Sequence, residues 1–213
     1  MKKFILFFAL TTVIASCNSP FTPKPRGYFE IELPEKKYRL FDQPGYPYSF
    51  EYPVYGSISK DSALFDDNPD NPYWINVDFP QFAGRIYLSY KTIGGNSVYK
   101  IKTSAGYKDS VVRNTFEGLR EEAFKMSFKH SLKASSIDDS LFRTTNNISG
   151  VYFSVGGNAA TANQFFVTDT TMHFLRGALY FDAAPNSDSL APVNAFLRED
   201  MKHIINTFKW KKQ

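Results

Sequence analysis

The most specific chemistry in this 213-residue chain lies near its start. Ile14, Ala15 and Ser16 stand directly before Cys17, the single cysteine. An aliphatic residue and two small ones ahead of a cysteine match the bacterial lipobox. The small side chains let a narrow peptidase site reach the Ser16–Cys17 bond, and the Cys17 thiol is the nucleophile that takes a diacylglyceryl group. Lys2 and Lys3 followed by the uncharged stretch Phe4 to Ile14 supply the basic and apolar regions of a cleaved export signal. That stretch is shorter than the roughly 20 residues a helix needs to span a bilayer, so a transmembrane anchor is the weaker reading. Residues 1–16 are therefore expected to be a lipoprotein signal peptide and Cys17 the lipidated residue.

The remaining chemistry-bearing residues are scattered. His130 and His203 are expected at the surface, the first after a helix and the second on the polar side of another. His173 and Arg176 share a strand, where a spacing of three puts them on opposite faces and rules out a same-face acid/base pair. A structural hydrogen bond accounts for each, and the alternative is contact with a partner or a small ligand. Trp74, beside Tyr73, offers aromatic surface of the kind interfaces favour, although core or rim packing explains it as well. Asp66, Asn68 and Asp70 have the first three spacings of a calcium loop. Asn71 stands where its glycine should be and Val77 where its bidentate glutamate should be, so a solvated turn is expected and no metal. The chain has no H-E-x-x-H, G-x-S-x-G, Walker loop, G-x-G-x-x-G or cysteine pair. No catalytic residue is assigned, and no cofactor is expected beyond the covalent lipid on Cys17.

Composition sets the frame for these residues. A hydrophobic fraction of 43% and an aromatic fraction of 17% are enough for a packed core and exclude a disordered or fibrous chain. Two of the four net positive charges leave with Lys2 and Lys3, so the apparent basicity belongs largely to the signal and gives no support to nucleic-acid binding. Lys209, Lys211 and Lys212 read as a solvated tail. With Cys17 acylated, no thiol remains for a disulfide, and stability must come from the core. Residues 17–26, with Pro20, Pro23 and Pro25, read as an extended tether. In polyproline II form, at about 3.1 Å per residue, it reaches roughly 25 to 30 Å. The absence of acidic residues just after Cys17 favours an anchor facing the periplasm. Arg26, Tyr28 and Phe29 join this tether to a single domain over residues 27–213.

Period-two patterns dominate that domain. Phe29, Ile31 and Leu33 alternate with Glu30 and Glu32, and Ile75, Val77 and Phe79 with Asn76 and Asp78. The same alternation runs through Ile86, Leu88 and Tyr90, through Val151, Phe153 and Val155, through Phe165 and Val167, and from His173 to Phe181. Gly156-Gly157-Asn158 marks a turn. Two segments switch to the helical period. Val111 to Lys129 carries a loose stripe, weakened at Gly118. The C-terminal stripe of Val193, Phe196, Leu197, Met201, Ile204, Ile205 and Phe208 is better formed, with Ser189 as its N-cap and Pro192 in the first turn. Strands, helix, strands, helix predicts an α+β fold, a mostly antiparallel sheet with a central and a C-terminal helix packed on it. The layout is similar to the α/β/α sandwiches of Mog1 and PsbP, an analogy of fold alone.

Longer blocks carry a further likeness. P23-K-P-R-G-Y-F-E-I-E-L-P-E-K-K-Y38, P47-Y-S-F-E-Y-P53, P72-Y-W-I-N-V-D-F-P80, the run from Gly157 to Gln164 with F165-F-V-T-D169, H173-F-L-R-G-A-L-Y-F181 and D188-S-L-A-P192 resemble the gliding motility lipoprotein GldD family. The resemblance implies a cell-envelope lipoprotein required for gliding in Bacteroidota and for the associated type IX secretion. Its implied partners are the lipid bilayer, through Cys17, and other envelope proteins of that machinery, which it would serve as a non-catalytic interaction subunit. A lipid-anchored enzyme or small-ligand binder acting on envelope glycan, peptide or lipid, with Trp74, His173 and Arg176 near its pocket, is the alternative. Gly94 to Ser110 is longer than the family pattern leads one to expect. It reads as an extra hairpin through Val98 to Thr103 that turns at Ser104 to Gly106.

Overall fold

The computed structural model describes residues 31–60, 72–104 and 106–212. Of the unit Met1–Glu32 only Ile31 and Glu32 are described, and neither is in regular structure. Every element below lies in the second compact unit, Leu33–Gln213. In chain order these are β1 Tyr38–Phe41, β2 Tyr48–Pro53, β3 Ser57–Lys60, β4 Ile75–Phe79, β5 Gly84–Thr92, β6 Asn96–Thr103, β7 Gly106–Arg113 and α1 Phe116–Phe128. There follow β8 Ala134–Arg143, β9 Ser149–Gly157, β10 Asn163–Thr168, β11 His173–Phe181, α2 Ser187–Thr207 and β12 Lys209–Trp210.

A seven-stranded sheet in the order β3-β4-β5-β11-β10-β9-β8 forms the centre. All strand pairings among the described residues are antiparallel, so the fold is α+β. Alternation along the strands sends Ile75, Val77, Phe79, Ile86, Leu88, Tyr90, Val167, Leu175 and Leu179 to one face, against Val193, Leu197, Met201 and Ile204 of α2. Their neighbours Phe166 and Phe174 go to the other face, where Leu119 and Ala123 of α1 meet Val151 and Phe153. Central β10 is buried along its whole length because both its faces are covered. At Gly177 a Cβ would stand 2.3 Å from the ring of Phe165, its cross-strand partner, so this position accepts only glycine without a shift of that ring.

Several expectations need correction. The strand expected through Phe29, Ile31 and Leu33 does not form at Ile31 or Leu33, which are exposed and pair with no strand among the described residues; Phe29 lies outside them. The central helix begins at Phe116 rather than Val111. The register from Thr103↔Gly106 to Asn96↔Arg113 claims Val111 to Arg113 for β7, and Thr115 then caps the helix by accepting a hydrogen bond from the Gly118 amide at 3.1 Å. The expected hairpin is therefore present and longer than its pattern suggests. The C-terminal helix is capped by Asn186, whose side chain accepts from the Ser189 amide at 3.2 Å, which places Pro192 beyond the first turn. Of the terminal lysines, Lys209 and Lys211 do not belong to a free tail, whereas Lys212 is exposed and outside any element. Lys209 and Trp210 form β12 on β2, the Lys211 amide donates to the Pro47 carbonyl, and the Lys211 side chain pairs with Asp42. The resulting second sheet, β1-β2-β12, lays Tyr48 and Phe50 into the same core as α2, beside Phe208 at the end of that helix.

Candidate functional site

Asp200 is wholly buried, yet on α2 it lies in register with the apolar stripe, between Leu197 and Ile204. A carboxylate there needs partners, because an unpaired buried charge is costly. They come from the start of the domain: Lys36 just before β1, Tyr38 at its first position and Tyr55 between β2 and β3. The Lys36 ammonium lies 2.7 Å away, and the Tyr38 and Tyr55 hydroxyls donate at 3.0 and 2.5 Å. Lys36 also donates to the Phe196 carbonyl at 2.8 Å and sits 3.4 Å over the centre of the Phe196 ring. Burial pulls the Lys36 pKa below its ordinary value despite the carboxylate. Burial, reinforced by Asp200, pushes both tyrosines well above theirs, so both remain hydrogen-bond donors. Alongside, His203 bonds Glu51 at 2.7 Å and stacks on Tyr38 at 3.5 Å. It is half-buried between α2 and the small sheet, not a solvated residue on the helix's polar side. This cluster fastens the start of the domain to its last helix. Its visible sequence signal is a carboxylate occupying an apolar register position.

The residues singled out from sequence lie elsewhere. His173 is buried, with Nδ1 2.7 Å from the Tyr90 hydroxyl and its ring stacked on Trp210 at 4.8 Å. Trp74 joins the same layer by donating from Nε1 to the Tyr90 carbonyl at 2.7 Å. Burial lowers the His173 pKa, opposed by Asp169, and so favours the neutral imidazole. Burial alone would raise the Asp169 carboxyl, but amide donors from His173, Met172 and Thr171 hold it below its ordinary value. The structure therefore brings Trp74 and His173 together on Tyr90. Arg176 points to the opposite face of β11, where it donates to the side-chain oxygen of Gln164 beneath α1, with Ser127 donating to the same atom at 3.3 Å. Burial lowers its pKa, partly offset by Tyr180.

His130 is half-buried at the end of α1, with its ring 6.5 Å from that of Tyr180, and burial lowers its pKa. Ser16, Cys17 and residues 66–71 lie outside the described residues. A shallow cleft of about 360 Å³, lined by Ser57, Asp78, Arg85 and Asp182 among others, includes none of Trp74, His173 and Arg176. Among the described residues no group of His, Cys, Asp and Glu is placed to hold a metal ion, and no helix is long and apolar enough to cross a membrane.

The fold and these clusters define an α+β domain whose charged interior groups bind its own first strands to its last helix. The chain belongs to the family described as gliding motility lipoprotein GldD, whose model matches residues 18–210. It is thus a gliding motility lipoprotein of the cell envelope. No curated protein matches it. Among solved structures it is similar to the solution structure of cyanobacterial PsbP (CyanoP) from Synechocystis sp. PCC 6803. The two are 11% identical with a TM-score of 0.41, and the match covers 89% of this chain and 100% of that one.

Proposed function

We propose that the protein is an acyl-anchored, non-catalytic interaction subunit of the gliding machinery and its associated type IX secretion apparatus, held by Cys17 and facing the periplasm. The tether of residues 17–26 keeps the domain within reach of the bilayer, and the domain grips neighbouring envelope proteins. The family match over residues 18–210 carries this reading. The state of the chemistry-bearing residues supports it: His173 and Arg176, on opposite faces of one strand, are each engaged in packing. Two or three acyl chains make such an attachment lasting where one would hold only marginally.

Cys17→Ala is expected to shift the protein from the membrane to the soluble fraction and to abolish colony spreading. Full motility with a soluble periplasmic form would overturn the tethering. Detergent-solubilised envelopes are expected to yield a stable set of gliding proteins with the wild-type chain. A several-degree thermal shift with a small envelope-derived molecule, lost in His173→Ala, would instead favour a ligand-binding domain.

A further inference from the structure

The β6–β7 hairpin carries large apolar side chains that stand exposed. Cross-strand register puts Val98, Val111 and Tyr107 on one face and Ile101 and Val112 on the other. Their exposures run from 41% for Val98 to 74% for Tyr107. Interleaved with them are Lys100, Lys102, Lys108 and Arg113, against the single carboxylate Asp109. The root of the arm is fixed. Asn114 donates to the Thr92 carbonyl at 3.2 Å and accepts from Ser97 at 2.8 Å, and Tyr99 is held by Lys91 at 2.9 Å and bonds Glu122 of α1 at 3.2 Å. Beyond the Tyr99↔Ser110 pair the distal part runs four residues on each strand, 100–103 and 106–109, about 13 Å at ~3.3 Å per residue.

We propose that this hairpin is a membrane-contacting arm that lays its basic and apolar surface on anionic phospholipid. The charge is complementary, with four cations to one carboxylate. Apolar residues on both faces suit a medium that surrounds the arm, whereas a protein groove would leave one face wet. Lysine stems can lie along the acyl boundary while their ammonium groups reach phosphate, and tyrosine suits the same depth. Such contact adds a second signal to an acyl anchor, and a tethered domain meets the bilayer at high effective concentration. The inference does not depend on which gliding proteins the domain binds.

The test uses the mature chain carrying Cys17→Ser, so that no acyl group contributes, sedimented with phosphatidylcholine vesicles with and without phosphatidylglycerol. Binding is expected to the anionic vesicles only and to weaken with salt. Each cation near such a surface contributes on the order of fivefold, so Lys102→Glu/Lys108→Glu should lower the partition roughly 25-fold or more. Tyr107→Trp should show a blue-shifted emission on adding those vesicles. Should the charge-reversed chain melt early, Lys102→Gln/Lys108→Gln with Val111→Ser replaces it, with a partition loss again expected. No binding to anionic vesicles, or binding that these substitutions leave unchanged, overturns the proposal. So does a hairpin variant that keeps its vesicle binding but loses an envelope protein on co-purification, which would assign the arm to an acidic protein partner.

Discussion

The two faces of the central sheet are finished differently. On the α2 side, 21 buried residues of the described chain form one cluster, with rings of Phe41, Tyr48, Phe50 and Phe208 stacked along it. On the α1 side the buried cluster numbers six, and beyond it Phe128, Leu132, Leu141 and the hairpin residues stand exposed. The hydrophobic stabilisation of a domain scales with the apolar area removed from water, so the first face must hold the fold together. The second has apolar surface to spare for contacts outside the domain. The sharpest test is a matched pair of truncations. Leu197→Ala should cost about 4 kcal/mol and Leu119→Ala about 2 kcal/mol in urea unfolding. Equal costs would erase the distinction.

Within the Asp200 cluster the two partners of one ion pair differ in their access to water. Asp200 is sealed, whereas the Lys36 side chain keeps 30% of its surface exposed. Lys36→Met strands a buried carboxylate and should cost about 3 kcal/mol. Asp200→Asn leaves an ammonium that can turn to solvent and should cost about 1–2 kcal/mol. The cluster also has an alkaline signature. Tyr38 and Tyr55 titrate higher in the folded state than the unfolded value of 10, so their contribution is complete below pH 10 and is lost as pH rises beyond it. Tyr55→Phe should therefore flatten the fall of melting temperature above pH 10. Tyr48 and Tyr152, raised in the same direction by burial, keep part of that fall in place.

What could be read in advance followed from how local each signal is. The α2 stripe and the alternation of β4, β5, β9 and β11 lie within single segments, and each marks its own buried face. The β1-β2-β12 sheet joins residues about 160 apart, as in the Lys209↔Ser49 pair. Nothing in K-W-K-K says that its lysines belong to a strand. The role of Asp200 is illegible in the sequence for a related reason. Its stripe is obvious, but only the tertiary placement of Lys36, Tyr38 and Tyr55 makes a carboxylate tolerable within it. The alternation at Ile31 and Leu33 misled because a half-buried pattern makes a strand only where another strand lies alongside. A structural hydrogen bond can be expected for His173 from its strand, but its Tyr90 and Trp210 neighbours come from separate parts of the chain, so no local pattern names them.

The smallest expected effect bears most directly on the second face. If the hairpin is an arm whose apolar residues serve something outside the domain, then removing them should leave the fold almost untouched. Tyr107→Ala and Val111→Ser should each change unfolding free energy by no more than about 0.5 kcal/mol, as exposed positions generally do. The same changes on the closed face would be severe. A loss of about 2 kcal/mol at either position would mean that the hairpin supports the domain itself, and the contrast between a face that holds and a face that reaches outward would fail where it is most exposed. Near-zero stability change together with weakened vesicle binding is the one combination that separates a contact surface from a structural one, because packing residues cannot lose the second without paying in the first.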